Sequence, residues 1–107
     1  MNQAKIIKLL KKNNFNFIHI NNTSSTMDYS KNYLKNNFKN IVVITDEQTK
    51  GRGQHGNTWI SSYGNIYLSI VIKNKIPIQD HFIFSMISLV SIQKTLIDLG
   101  VNNIIFK

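Results

Sequence analysis

The chain has 107 residues, room for one domain at most and for a core with a small stability margin. It has no cysteine, which excludes disulfides and thiolate metal sites, and its 42% hydrophobic content excludes a disordered chain. The formal charge of +8 invites a nucleic-acid reading, but the lysines are spread along the chain rather than gathered into a patch, so charge alone does not carry that function.

In chain order, Ile6, Ile7, Leu9 and Leu10 have the spacing of a short amphipathic helix ending at Asn13-Asn14. Phe15, Phe17, Ile18 and Ile20 read as a strand, and Asn21 to Thr26 as a polar turn. Ser25 or Thr26 can cap a helix from about Met27 to Asn37, with Asp28 favourable in its first turn. Ile41 to Thr45 is a β-branched, buried strand, and Asp46 to Thr58 reads as a polar, glycine-bearing loop. Ile66 to Ile72 is a second strong strand. A turn around Pro77 leads to the longest helix, Gln79 to Leu99, stopped by Gly100. Val101 to Phe106 reads as the start of a further strand, so the chain ends on a strand, as a chain cut mid-domain would. This order describes an α+β or α/β fold with helices packed on one sheet.

Met1 to Lys12 contains no apolar run of signal-peptide length. No stretch reaches the roughly 18 apolar residues of a membrane helix, because Ser85, Ser88, Ser91, Gln93, Lys94 and Asp98 interrupt the most apolar region. The expected location is the cytoplasm, with no membrane partner. Three scattered histidines and five acidic residues show no metal-ligand spacing, so no protein metal site is expected.

Twelve of the thirteen basic residues are lysine; the one arginine is Arg52, between Gly51 and Gly53. Arginine offers a planar fork for two-point contact with carboxylate or phosphate, which lysine cannot match. Gly51, Gly53 and Gly56 permit positive φ and close backbone approach, and exposed amides in such a segment can form an anion-binding nest. Trp59, the one tryptophan, can wall a pocket with a flat apolar face. The parts suit an anionic ligand with a ring or aliphatic body. The segment is no P-loop, since no G-K-[ST] closes it and a strand rather than a helix follows. Each residue also has an ordinary structural explanation: Ser25 and Thr26 as helix caps, Tyr67 as strand core, Trp59 as a core anchor, His55 as a solvated loop residue.

The pattern Gly51-Arg52-Gly53-x-x-Gly56-x-x-Trp59-x-Ser61, followed by Gly64-Asn65-Ile66-Tyr67-Leu68-Ser69, resembles the signature of biotin protein ligases. Ser25-Thr26-Met27-Asp28 is similar to that family's Ser-Thr turn, Gln48 to its glutamine, and Phe106-Lys107 to the start of its Lys-Trp-Pro-Asn-Asp motif. The resemblance covers residues 15 to 107. It implies an α+β catalytic domain with a mixed β-sheet and helices packed on it, of the class II aminoacyl-tRNA synthetase-like, biotin/lipoate ligase type, here truncated. No DNA-binding domain is expected before it, and the family's C-terminal β-barrel domain is expected to be absent.

The resemblance further implies an activity in which biotin and ATP give biotinyl-5′-AMP and pyrophosphate, with Mg2+ neutralising phosphate oxygens. Biotin then passes to a lysine of the biotin carboxyl carrier protein domain of a carboxylase. By the same resemblance, Arg52 and Lys107 are catalytic, and Arg52 with the amides around Gly51 and Gly53 holds the biotin carboxylate. Ser25, Thr26 and Gln48 bind the ureido head, and Tyr67 and Ser69, two apart on one strand face, line the biotin pocket. Arg52, Gln54, Gly56 and Trp59 hold the adenylate. Gln54 departs from the basic residue that many members carry there, which removes one phosphate contact. An incomplete chain is expected to be impaired in the full reaction. The alternatives are a lipoate or octanoate ligase or transferase of the same fold, and a non-catalytic basic nucleic-acid-binding domain.

Overall fold

The computed structural model describes residues 3–36 and 39–105. It divides into two compact units, Met1–Lys73 and Asn74–Lys107.

The first unit is a mixed four-stranded sheet with two helices. Helix α1 spans Gln3–Lys12 and carries Lys11 and Lys12 in its last turn, where cations meet the negative end of the helix dipole. It stops where the sequence predicts, at Asn14, whose φ of 62° lies in the left-handed region that asparagine tolerates. Strand β1 runs Phe15–Thr23, helix α2 Thr26–Leu34 and strand β2 Asn40–Arg52. Strands β3, Thr58–Ser61, and β4, Tyr67–Val71, complete the sheet.

Strand β2 organises this unit. Along one edge it pairs in parallel with β1, from Phe15↔Asn40 to Thr23↔Gln48. Along the other it pairs antiparallel twice: Ile41 to Thr45 meet β4, and Gln48 to Arg52 meet β3. Its alternation puts Ile41, Val43 and Thr45 on one buried face, the first two at 0% exposure. Their β-branched side chains suit a strand enclosed between neighbours.

Several boundaries differ from the sequence expectation. Asp46 to Thr58 is not one loop: β2 continues through Arg52, a 3-10 turn covers Gln54–Gly56, and β3 begins at Thr58. Polar residues extend as strand here because β1 pairs with β2 as far as Gln48 and β3 takes over from Gln48 to Arg52, and tertiary pairing outweighs weak intrinsic β-propensity. For the same reason β1 reaches Thr23, where a turn was expected from Asn21. Helix α2 starts at Thr26 and closes at Leu34, short of Asn37, which lies outside the described residues.

The second unit contains a 3-10 turn, Ile78–Asp80, and helix α3, Phe82–Asp98. Gly100 terminates the helix as predicted, at φ 89°. The Val101 amide donates to the Leu96 carbonyl and the Gly100 amide to that of Ile97, both at 2.9 Å, a Schellman closure. The strand expected over Val101 to Phe106 does not form within the described residues 101–105. Asn103, at φ 61°, breaks the extended run that a ladder requires. No described helix is long and apolar enough to cross a membrane.

Between Gln48↔Ser61 and Gly51↔Trp59, β2 advances three residues while β3 advances two, a bulge that brings Gly51 onto the side of Gln48 and Ser61. A Cβ at Gly51 would stand 2.5 Å from Ser61 Oγ and 2.5 Å from the Trp59 carbonyl oxygen. Gly51→Ala is therefore expected to cost about 3 kcal/mol as β3 is pushed away. Gly56→Ala, at φ 77° with open space around its Cβ, costs about 1–2 kcal/mol. Denaturant melts of the two variants check this; equal losses would contradict the close-packing argument.

Candidate functional site

The turn between β1 and α2 is held against β2 by three contacts. The Lys50 amide donates to the Ser24 carbonyl at 2.7 Å, and the Thr26 amide donates to Gln48 Oε1 at 2.9 Å. Arg52 Nη2 donates to Asp28 Oδ1 at 2.5 Å. Thus Ser24, Thr26 and Asp28, alternate residues of one segment, are fastened by Lys50, Gln48 and Arg52, alternate residues of the other.

Ser25 is the N-cap of α2: its Oγ accepts from the Asp28 amide at 3.0 Å, and its own backbone is extended. Both Ser25 and Thr26 are buried. The Thr26 hydroxyl lies 2.7 Å from Ser69 Oγ on β4. Gln48 spans the remaining gap, since its Nε2 donates to Ser61 Oγ at 2.9 Å and Ser61 donates on to the Trp59 carbonyl. Among the described residues no buried side-chain nitrogen or oxygen lacks a hydrogen-bond partner. The buried hydroxyls and amide are thus fixed before any ligand arrives, which limits the reorganisation that binding would require.

Ser25, Thr26, Met27, Gln48, Arg52, Ile66, Tyr67, Leu68 and Ser69 line one cleft of about 270 Å³, close to the lower end of small-molecule sites at about 300 Å³. The spacing argument for Tyr67 and Ser69 holds in the geometry, as the two share a half-buried strand face. The Tyr67 hydroxyl itself points to the Ser62 carbonyl, to which it donates at 2.8 Å. A second cleft is lined by Arg52, Gly53, Gln54, Asn57, Thr58 and Trp59. Arg52 belongs to both.

Other candidates are placed differently from the simplest expectation. The Gly53 amide donates to the Asn57 carbonyl at 2.7 Å, so it closes the turn instead of offering itself to an anion. Gly51 is buried and serves close strand packing. The positive φ expected of this segment is at His55 and Gly56. Trp59 is 61% exposed, so it is a wall open to solvent and no core anchor. Lys107 lies outside the described residues. Asp28 was legible only as a favourable first-turn residue; its pairing with Arg52, both side chains about 40% exposed, emerges from the fold.

Among the described residues no group of three or more His, Asp or Glu side chains could hold a metal ion. The Asp28 carboxylate at this site is already engaged by Arg52. These residues do not make a magnesium site.

The family model of the biotin/lipoate A/B protein ligase family matches residues 19–105. Among solved structures, the chain is similar to a biotin protein ligase from Leishmania major in complex with biotin, at 34% identity and a TM-score of 0.48 over 50% of this chain. A structure of a Leishmania major biotin protein ligase with biotinyl-5-AMP gives 36% identity and a TM-score of 0.45 over 53% of this chain. The chain spans 22% and 23% of the lengths of those two proteins.

Gln48 is the one side chain joining α2, β2 and β3 in this site. Gln48→Ala strands the buried Thr26 amide and is expected to cost about 1–3 kcal/mol. Denaturant unfolding measures the loss, and hydrogen exchange at the Thr26 amide should quicken beyond the global change. Unaltered exchange there would show that another group replaces the bond.

Proposed function

The chain belongs to the biotin/lipoate A/B protein ligase family, and from that premise we propose that its two clefts receive the two substrates of biotin activation, biotin and ATP. The observation that carries this reading is the position of Arg52, which lines both clefts. Activation must bring a carboxylate onto the α-phosphorus of a triphosphate. A carboxylate oxygen forms the new bond to phosphorus while the bond to pyrophosphate breaks. Both reactants are anionic, so a guanidinium shared by the two sites offsets their repulsion where they meet.

In this reading the ureido head of biotin lies against Thr26, Ser69 and Gln48, whose hydrogen bonds fix their orientation and whose remaining donors and acceptors face a polar ring. Ser25 contributes chiefly by capping α2. Tyr67 walls the same cleft. The carboxylate reaches Arg52, and the nucleotide lies along Gln54 and Trp59, where the exposed indole offers a flat face to adenine; Gly56, outside the lining of both clefts, supplies the positive-φ turn beside them. A magnesium ion supplied with ATP would neutralise phosphate charge, and no described residue is assigned to it. Transfer follows when a lysine amine of a biotin carboxyl carrier domain attacks the acyl carbon, releasing AMP; Lys107 remains a candidate for assisting the chemistry by resemblance. Lipoate activation is the second reading, as its carboxylate would meet the same guanidinium.

Titration calorimetry with biotin and with lipoate tests the assignment. Heat with biotin is expected; heat with lipoate alone reverses the choice of substrate, and heat with neither removes the ligand-binding reading. Arg52→Ala should weaken binding of a carboxylate ligand about tenfold or more, the loss of a charge-assisted contact worth about 1.5–3 kcal/mol.

Gln54 generates a separate prediction. A neutral side chain on the nucleotide side leaves the adenylate one charge-assisted contact short. Gln54→Arg is therefore expected to lengthen the half-life of bound biotinyl-AMP about tenfold or more, as measured by release without acceptor. An unchanged half-life contradicts the proposed placement of Gln54.

A further inference from the structure

Arg52 is a long, half-exposed side chain at the end of a strand, and its usefulness to two clefts depends on where its fork is held. Asp28 contacts it through a single guanidinium nitrogen, Nη2, and lines neither cleft. A guanidinium has five N–H donors, so this contact leaves most of the fork available to a ligand. The carboxylate comes from the first turn of α2, a turn fixed by the Ser25 cap and by the Thr26 amide on Gln48. Asp28 is thus anchored on a rigid element and grips Arg52 from outside the ligand space.

We propose that Asp28 is a positioning residue that holds the Arg52 guanidinium across the two clefts, so that an anionic ligand meets a preset fork. The inference rests on the proposed function and assigns a residue to it that the sequence pattern did not. Free arginine side chains lose rotamer freedom on binding; a side chain already ordered by an internal partner loses less. The same carboxylate also lowers the local positive potential, which acts against anion binding. Positioning is the stronger effect here, because Asp28 stays outside the clefts while the pair is open to screening by water.

The two effects predict opposite signs, and the test reads the sign. Wild type, Asp28→Asn and Asp28→Ala are titrated with biotin and with biotinamide, whose uncharged end makes no demand on a guanidinium. Asp28→Ala is expected to weaken biotin binding about three- to tenfold. Asp28→Asn, which keeps an acceptor of the same shape, should fall between it and wild type. Biotinamide affinity should be the same in all three proteins, which a loss of folded protein would not produce. Unchanged or tighter biotin binding by both variants overturns the positioning role, as does an equal loss for both ligands. Failure of wild type to bind either compound removes the underlying ligand assignment and this inference with it. Should Asp28→Ala fold poorly, the ratio of biotin to biotinamide affinity in Asp28→Asn decides alone.

Discussion

The amide of Gln48 has to satisfy two partners at once, and few other side chains could. Its oxygen accepts from the Thr26 amide and its nitrogen donates to the Ser61 hydroxyl. Thr26 opens α2, Ser61 ends β3, and Gln48 itself belongs to β2. A hydrophobic side chain of similar size would leave the buried Thr26 N–H with nothing to meet, and a shorter polar one would not reach both. The helix start, and with it Ser25, Thr26 and Asp28, is therefore tied to both β2 and β3 through this carboxamide, beside the Lys50 and Arg52 contacts to β2. The clefts on either side of Arg52 depend on that placement.

The polar chemistry of the site sits directly beside the driest part of the sheet. Ile41 and Val43 are fully enclosed, and Thr45 continues their face toward Gln48 with its hydroxyl turned back to the Glu47 carbonyl. Because β2 is one uninterrupted strand, the rigidity of its apolar half is passed along the backbone to the half that bears Gln48 and Arg52. Functional groups on a strand anchored in this way are held more closely than groups on a free loop. What the sequence presented as a glycine-rich loop is for the most part ladder, with the true turn confined to a few residues around His55.

How far the sequence could be read follows from where local chemistry decides the structure. The Asn13-Asn14 stop, the β-branched run at Ile41, the two-residue period at Tyr67 and Ser69, and the Gly100 helix end are local signals, and each has its counterpart in the fold. The extension of β2 through Asp46 to Arg52 was hidden because Asp, Lys and Gly are depleted in strands and Asp and Gly favour turns. Only the partners on β1 and β3 make them strand. Val101 to Ile105 is the reverse case, where β-branched composition suggested a strand and Asn103 takes a backbone conformation that prevents one. The candidate site was legible as a set of residues and as a shared arginine. The Ser25 cap was legible too, as one of two candidates for the start of α2. The longer wiring was not: Gln48 reaches Thr26 and Arg52 reaches Asp28 across more than twenty positions, and no local signal marks either contact.

The extra residue in β2 also sets a limit on how this stretch can vary in evolution. Pairing is fixed on both sides of it, by Ser61 before and by Trp59 and Thr58 after. Between these anchors the number of residues matters more than their identity. Removing one would even out the two strands, leave Gly51 opposite Trp59, and take away the local bend and extra twist with which the bulge aims Arg52. Adding one would leave a second residue without a partner in the ladder. Insertions and deletions should therefore be tolerated around Gly64 and excluded from the interval between Gln48 and Gly51, where Thr49 and Lys50 can change but cannot be counted differently.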